Sequence, residues 1–258
     1  NQIRAVLIAG CGQDSDPVRA VESQPNAPGR CMLVLRADTG EVIRQFTNGP
    51  DVTGDDVLAY PVVGGVAAYP NSGTIPSDRA YVGDAAGQLW RMDFRDADPN
   101  NWSVAVAWPP KNAIEADRYR IGRAIEQAPS LSLARNGSLT VIFGTGGRGT
   151  APDNVSSMMV SFADDVSLGD GDVLRFQTTR NWIMPLRAGE TLRGDPTVRN
   201  RTAFFTTLEQ AEDANQCIDS QARLYAVDYT QAQLAYNTVD GRTLTVIPRL
   251  PPVKTKRA

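Results

Sequence analysis

The chain has 258 residues, enough for one large domain with a real core or for two small ones. At 41% hydrophobic and 21% charged residues it has the composition of a folding chain, which excludes general disorder. Its 26 basic and 29 acidic residues leave a net charge of −3, without the basic excess of a nucleic-acid binder, and no run approaches the roughly 18 apolar residues of a membrane-spanning helix.

The chain enters an apolar strand, Arg4–Gly10, directly from Asn1, and reads as a fragment of a longer protein. Cys11 follows, then a polar loop, Gly12–Arg30, rich in Pro, Asn and Gly, then Cys31 and a second strand, Met32–Asp38. If these strands pair as a hairpin, the two cysteines meet at the loop base and a disulfide is expected there. An outer strand is expected at Glu41–Phe46. A second set of strands reads Pro61–Ala68, Arg79–Asp84, Leu89–Asp93 and Trp102–Ala107. The stretch Ile114–Ala128 is the best helical candidate and reads as a loop or one short helix. A third set is Ala128–Ala134, Leu139–Gly144, Met158–Asp164 and Val173–Gln177. A fourth is Gly194–Arg199, Thr202–Thr207, Leu224–Asp228 and Gln233–Asn237. Leu244–Ile247 begins a further set or closes a ring. Residues 1–250 then form the domain, and 251–258 a Pro-rich tail whose Lys254, Lys256 and Arg257 read as a solvated terminus.

Each set repeats one order: an apolar strand ending in glycine or a small residue, a loop, then a strand ending near Asp38, Asp93, Asp164 or Asp228. With 22 Gly and 17 Pro spread between short apolar runs, this predicts an all-β protein. Its expected architecture is an irregular β-propeller of about four blades with long loops, the first blade lacking its inner strand. A β-sandwich would instead call for period-2 alternation and short, even loops.

The hairpin Arg79–Phe94 contains Tyr81-Val82-Gly83-Asp84, a turn through Gly87, and a return as Leu89-Trp90-Arg91-Met92-Asp93. It resembles the signature hairpin of the C-terminal propeller of the PilY family of type IV pilus tip and biogenesis proteins. Three further segments resemble that family in the same order: Ala128-Pro129 with Phe143-Gly144-Thr145-Gly146, Asp195-Pro196 with Phe204-Phe205-Thr206-Thr207-Leu208, and Cys217 with Leu224-Tyr225-Ala226-Val227-Asp228. The resemblance spans most of Leu7–Asp228. It implies a quinoprotein-like propeller at the pilus tip or outer cell surface, exported through the periplasm. It further implies support of pilus assembly and retraction control, contact with host or abiotic surfaces, and minor pilins and other tip proteins as partners.

Chemistry-bearing residues are few. The absence of histidine removes the usual general base and the commonest transition-metal ligand, and no nucleophile–base pair stands out, so no catalytic residues and no organic cofactor are expected. Calcium is the one candidate ion. Some family members hold it in the loop corresponding to Val66–Asp78, where this chain offers only Asp78. The acidic run Asp164–Asp172, with Asp164, Asp165, Asp170 and Asp172, is the alternative calcium loop; a solvated turn is the competing reading. Asp96–Asn100 reads as Asx turns. Arg193-Gly194-Asp195 spells an adhesion tripeptide, although Asp195-Pro196 also matches a strand start. Ala37-Asp38-Thr39-Gly40-Glu41 is similar to a motif of pyrroloquinoline-quinone dehydrogenases, making a quinoprotein propeller the runner-up and a purely structural scaffold for minor pilins the third reading. Cys217 is left for a partner outside this chain.

Overall fold

The structure is a computed structural model and describes residues 5–12, 28–47, 58–70, 75–109, 123–146, 157–168, 174–187, 189–209 and 221–230. These form four antiparallel sheets, each built from strands consecutive in the chain. The first contains β1 (Val6–Gly10), β2 (Met32–Arg36) and β3 (Val42–Phe46). The second contains β4 (Val66–Tyr69), β5 (Arg79–Gly83), β6 (Leu89–Asp93) and β7 (Ser103–Trp108). The third contains β8 (Ser130–Leu133), β9 (Leu139–Gly144), β10 (Met158–Leu168) and β11 (Leu174–Pro185). The fourth contains β12 (Glu190–Arg199), β13 (Thr202–Glu209) and β14 (Gln221–Asp228). The only helical turn among the described residues is a 3₁₀ turn at Pro99–Asn101, capped by the Asp98 carboxylate. The expected strands Gln233–Asn237 and Leu244–Ile247, the tail 251–258, Cys217 and residues 114–122 of the helical candidate lie outside the described residues.

The expected strand sets recur in order, with shifts that have local causes. The first strand of the second sheet begins at Val66, not Pro61, because Pro61 has no N–H and the next amides are used elsewhere. Val62 donates to the Gly29 carbonyl, Gly64 to Gly83 and Gly65 to Glu126. The third sheet's outer strand runs on to Pro185, well beyond Gln177, because one extra residue in β11 lets the pairing with β10 continue past a shift in register.

Alternation along each strand explains how the sheets stack. In β5, Ala80 and Val82 point to the first sheet and Tyr81 to the third. In β6, Trp90 and Met92 point to the first and Leu89 to the third. In β9, Val141 and Phe143 pack toward the second sheet while Ile142 packs toward the fourth. The middle sheets are thus buried on both faces, which is why β5 and β9 read as unbroken apolar runs. Trp108, Phe143 and Phe162 fill the middle interface, with Trp108 and Phe162 stacked at 5.9 Å between centroids.

The glycine that ends the first kind of strand has a packing cause. Gly10, Gly83 and Gly144 stand where the leading segment of the next sheet crosses, at Val62, Ile125 and Leu192 respectively. A Cβ on any of the three would fall inside the 3.0 Å that real Cβ contacts respect. At Gly83 the obstruction is the branched carbon and carbonyl of Ile125, which is itself fully buried and has nowhere to retreat. Gly83→Ala is therefore expected to destabilise the protein by about 1–3 kcal/mol through overpacking. Gly40→Ala, on an exposed turn with open space around it, should cost only its left-handed strain, on the order of 1 kcal/mol. Urea denaturation of both variants checks this, and equal losses would contradict the close-approach explanation.

Candidate functional site

The Tyr81–Asp93 hairpin is organised around Asp84. Its Oδ1 accepts from the Ala86 amide at 2.9 Å and the Gln88 amide at 2.8 Å, and its Oδ2 accepts from the Trp90 indole at 3.0 Å. Its carbonyl accepts from Ile125 N, and Gly87 completes the turn at φ 91°. One side chain therefore closes the turn, fixes Trp90 and ties the second sheet to the crossing into the third. Burial outweighs these donors and pushes the Asp84 carboxyl up to about 6. At the strand's far end, burial also works against Asp93, but the Arg95 guanidinium, paired at 2.5 Å, holds its carboxyl below the usual range.

A second carboxylate sits between the second and third sheets. Asp164 receives Arg91 Nη1 at 2.6 Å, the Tyr81 hydroxyl at 2.5 Å and the Thr178 hydroxyl at 3.2 Å. Its carbonyl receives Arg79 Nη1 at 3.0 Å, and Arg79 also pairs with Asp78 at 2.8 Å. The guanidiniums of Arg91, Arg95 and Arg79 stand 3.8, 4.2 and 4.9 Å from the Phe176 ring centroid, an arrangement of cations on an aromatic ring. Burial and the neighbouring Asp164 charge hold the Tyr81 hydroxyl well above its ordinary value. The third carboxylate, Glu190, accepts from the Thr207 and Tyr225 hydroxyls and the Arg187 amide, with Arg223 at 3.5 Å. Burial opposes its ionisation, yet these donors keep its carboxyl low; burial and Glu190 push the Tyr225 hydroxyl up to about 12.

These placements revise the reading of the acidic run. Asp164 and Asp165 are not loop residues: β10 continues through both to Leu168, with Asp164 opposite Thr178 and Asp165 opposite Gln177. Asp164 lies on the same side as Val160 and Phe162, and a carboxylate can stay there because two guanidiniums and two hydroxyls satisfy it. Asp170 and Asp172 lie outside the described residues. Among the described residues no group of three or more acidic or cysteine side chains converges on a point where a cation would sit. Asp78 of the other calcium candidate is spent on Arg79, and the Asp96 and Asp98 carboxylates accept from the amides of Asp98 and Asn100 as Asx turns do.

Arg193, Gly194 and Asp195 fall inside β12 at a break in its pairing with β13, where Gly194 adopts φ 80°. Gly194 and Asp195 are exposed and Arg193 half-buried, while the Asp195 carboxylate accepts from the Ala128 amide at 2.9 Å at the start of the third sheet. Ala37–Glu41 is the tight β2–β3 turn: Asp38 pairs with Arg36 at 2.9 Å and Gly40 takes φ 73°. Cys11 and Cys31 are joined by a disulfide, 5.2 Å between Cα atoms, and the Cys11 amide donates to the Cys31 carbonyl. It closes the loop at the end of the sheet from which the chain also leaves β5, β9 and β13.

Sequence reasoning missed the Asp164 and Glu190 clusters. The available signal was a charged residue inside an otherwise apolar strand, Arg91 between Trp90 and Met92 and Arg223 beside Leu224, since such a charge must find a partner. Every carboxylate of these clusters is hydrogen-bonded or ion-paired within the chain, so the clusters tie strands and neighbouring sheets together.

Asp84 gives the interior a measurable pH dependence. Its folded pKa lies above that of an unfolded aspartate, so the folded state binds more protons between about 4 and 6. Its contribution is fully present below that window and is lost as pH rises through about 6; a shift of this size corresponds to about 3 kcal/mol. Denaturant unfolding from pH 5 to 7 should show stability falling with rising pH in the native chain and a flatter profile in Asp84→Asn. Identical slopes would contradict the assignment. No protein-family model matches the chain, and no curated protein sequence is significantly similar to it.

Proposed function

We propose that this chain is a non-enzymatic β-propeller module of a type IV pilus tip and biogenesis protein, of the kind the PilY family contains. The observation that carries the reading is the ordered motif series: the Tyr81–Asp93 hairpin falls on the second sheet, the Phe143–Gly146 segment at the end of β9 in the third, and the Asp195–Leu208 segment and the Leu224–Asp228 strand both on the fourth, in the family's order. Consecutive antiparallel meanders of three or four strands packed face to face, with glycines admitting the next sheet, fit blades set around an axis. In this reading the first sheet supplies three outer strands of one blade and the fourth sheet three inner strands of another.

Such a module acts by display. Its strands are held by buried aspartates and aromatic packing, and its connections are free to vary in length and chemistry. The connections after β1, β9 and β13 are long in sequence and leave from one end of the sheets. That end is the proposed contact face for minor pilins, other tip proteins and host or abiotic surfaces. The Cys11–Cys31 bond supports passage through an oxidising compartment and an extracellular address. Immunogold labelling with antibody raised against the purified chain tests the reading in cells that produce it. Label at pilus tips or the outer surface is expected, and label confined to the cytoplasm would contradict it.

A further inference from the structure

At the end of the third and fourth sheets opposite those long connections lies a crevice of about 290 Å³. The β8–β9 turn, the start of β9 at Thr140 with Ala163 opposite it in β10, Asn181 of β11, the β12–β13 turn and the residues just after β14 form its walls. Its volume is near the lower bound of small-molecule pockets, the size of a monosaccharide.

Its lining is electrostatically one-sided. Two guanidiniums, Arg135 and Arg201, border it and no carboxylate does. Arg201 is tied back to Asp228 at 3.2 Å, whereas Arg135, on the exposed β8–β9 turn, has no ion-pair or hydrogen-bond partner among the described residues. Thr140 lies on the wall, is only 1% exposed, and its hydroxyl has no partner among the described residues. The hydroxyl is therefore open to the crevice, where a bound polar group can engage it.

Two backbone irregularities also converge here. Asn181 is the extra residue where β11 shifts register, between Arg180 opposite Phe162 and Trp182 opposite Ser161. That bulge turns its side chain toward the fourth sheet and into the crevice, where its amide donates to Ser161 Oγ at 3.1 Å and its carbonyl oxygen is left to accept. Asn200 and Arg201 form the β12–β13 turn at φ 49° and 66°; the second position favours glycine, yet an arginine is held there with its side chain on the crevice rim.

We infer that this crevice binds an acidic sugar. The planar Arg135 fork receives the carboxylate in the two-bond geometry that guanidinium favours. Thr140 and Asn181 offer a donor and acceptors to the sugar hydroxyls. The inference does not depend on the pilus reading, because the crevice is at the other end of the sheets.

Isothermal titration of the purified full chain with D-glucuronate, D-glucose and inorganic phosphate tests it. Saturable binding of glucuronate is expected, with glucose and phosphate at least about tenfold weaker. Arg135→Gln, on an exposed turn that the fold does not need, should weaken glucuronate at least about tenfold with an unchanged melting temperature. The near-isosteric Thr140→Val should weaken it as well. Absence of saturation by glucuronate, phosphate binding as tightly as glucuronate, or an unchanged affinity in Arg135→Gln would each overturn the assignment.

Discussion

One buried carboxylate, Asp164, holds the middle of the stack in register. Arg91 and Tyr81 reach it from the second sheet and Thr178 from its own, while Arg79 takes its carbonyl. Desolvating such a group is costly, and the attraction to Arg91 offsets that cost only because each oxygen also finds a hydroxyl. The consequence is specificity of packing. A slip of β10 by one residue would place Asp164 against the fourth sheet and Ala163 against the guanidiniums, leaving charges on both sides unpaired. Glu190 plays the same part within the fourth sheet, gathering Thr207 of β13 and Tyr225 and Arg223 of β14.

Apolar packing and close approach do the remainder. Each interface has its own cluster, and the two inner sheets contribute to a cluster on either side. The glycines at 10, 83 and 144 let the next sheet's leading segment cross at close range, while large side chains such as Trp90, Trp108 and Phe162 fill the rest of each interface. A scaffold held this way separates stability from recognition. The buried carboxylates of Asp84, Asp164 and Glu190 are taken up by the interior's own donors, while the proposed contact face and crevice lie at the sheet ends.

The strand order was legible because each sheet uses the same local grammar. A buried strand shows as an apolar block, and the close crossing demands a terminal glycine, so Ala9-Gly10, Val82-Gly83 and Phe143-Gly144 stood out. The Cys11–Cys31 bond followed from hairpin pairing alone. Asp164 misled for a physical reason: an aspartate run is the ordinary signature of a solvated turn, and nothing adjacent in sequence reveals that Arg79 and Arg91 lie across the interface. The crevice was equally hidden, since Arg135, Thr140, Asn181 and Arg201 come from four different strands or turns and only the stacking of two sheets unites them.

If Asp164 is the contact that locks the second sheet to the third, its energy must be coupled to that of Arg91. A double-mutant cycle of Arg91→Met, Asp164→Asn and the double variant, followed by urea unfolding, measures that coupling directly. The single replacement of Asp164 should cost about 3–5 kcal/mol, because the Arg91 guanidinium is left buried without its carboxylate while Arg79 keeps only Asp78. The double variant should recover at least about 2 kcal/mol of the summed loss. Losses that simply add, with a coupling under about 0.5 kcal/mol, would show that the sheets are held by apolar packing alone and would contradict the account.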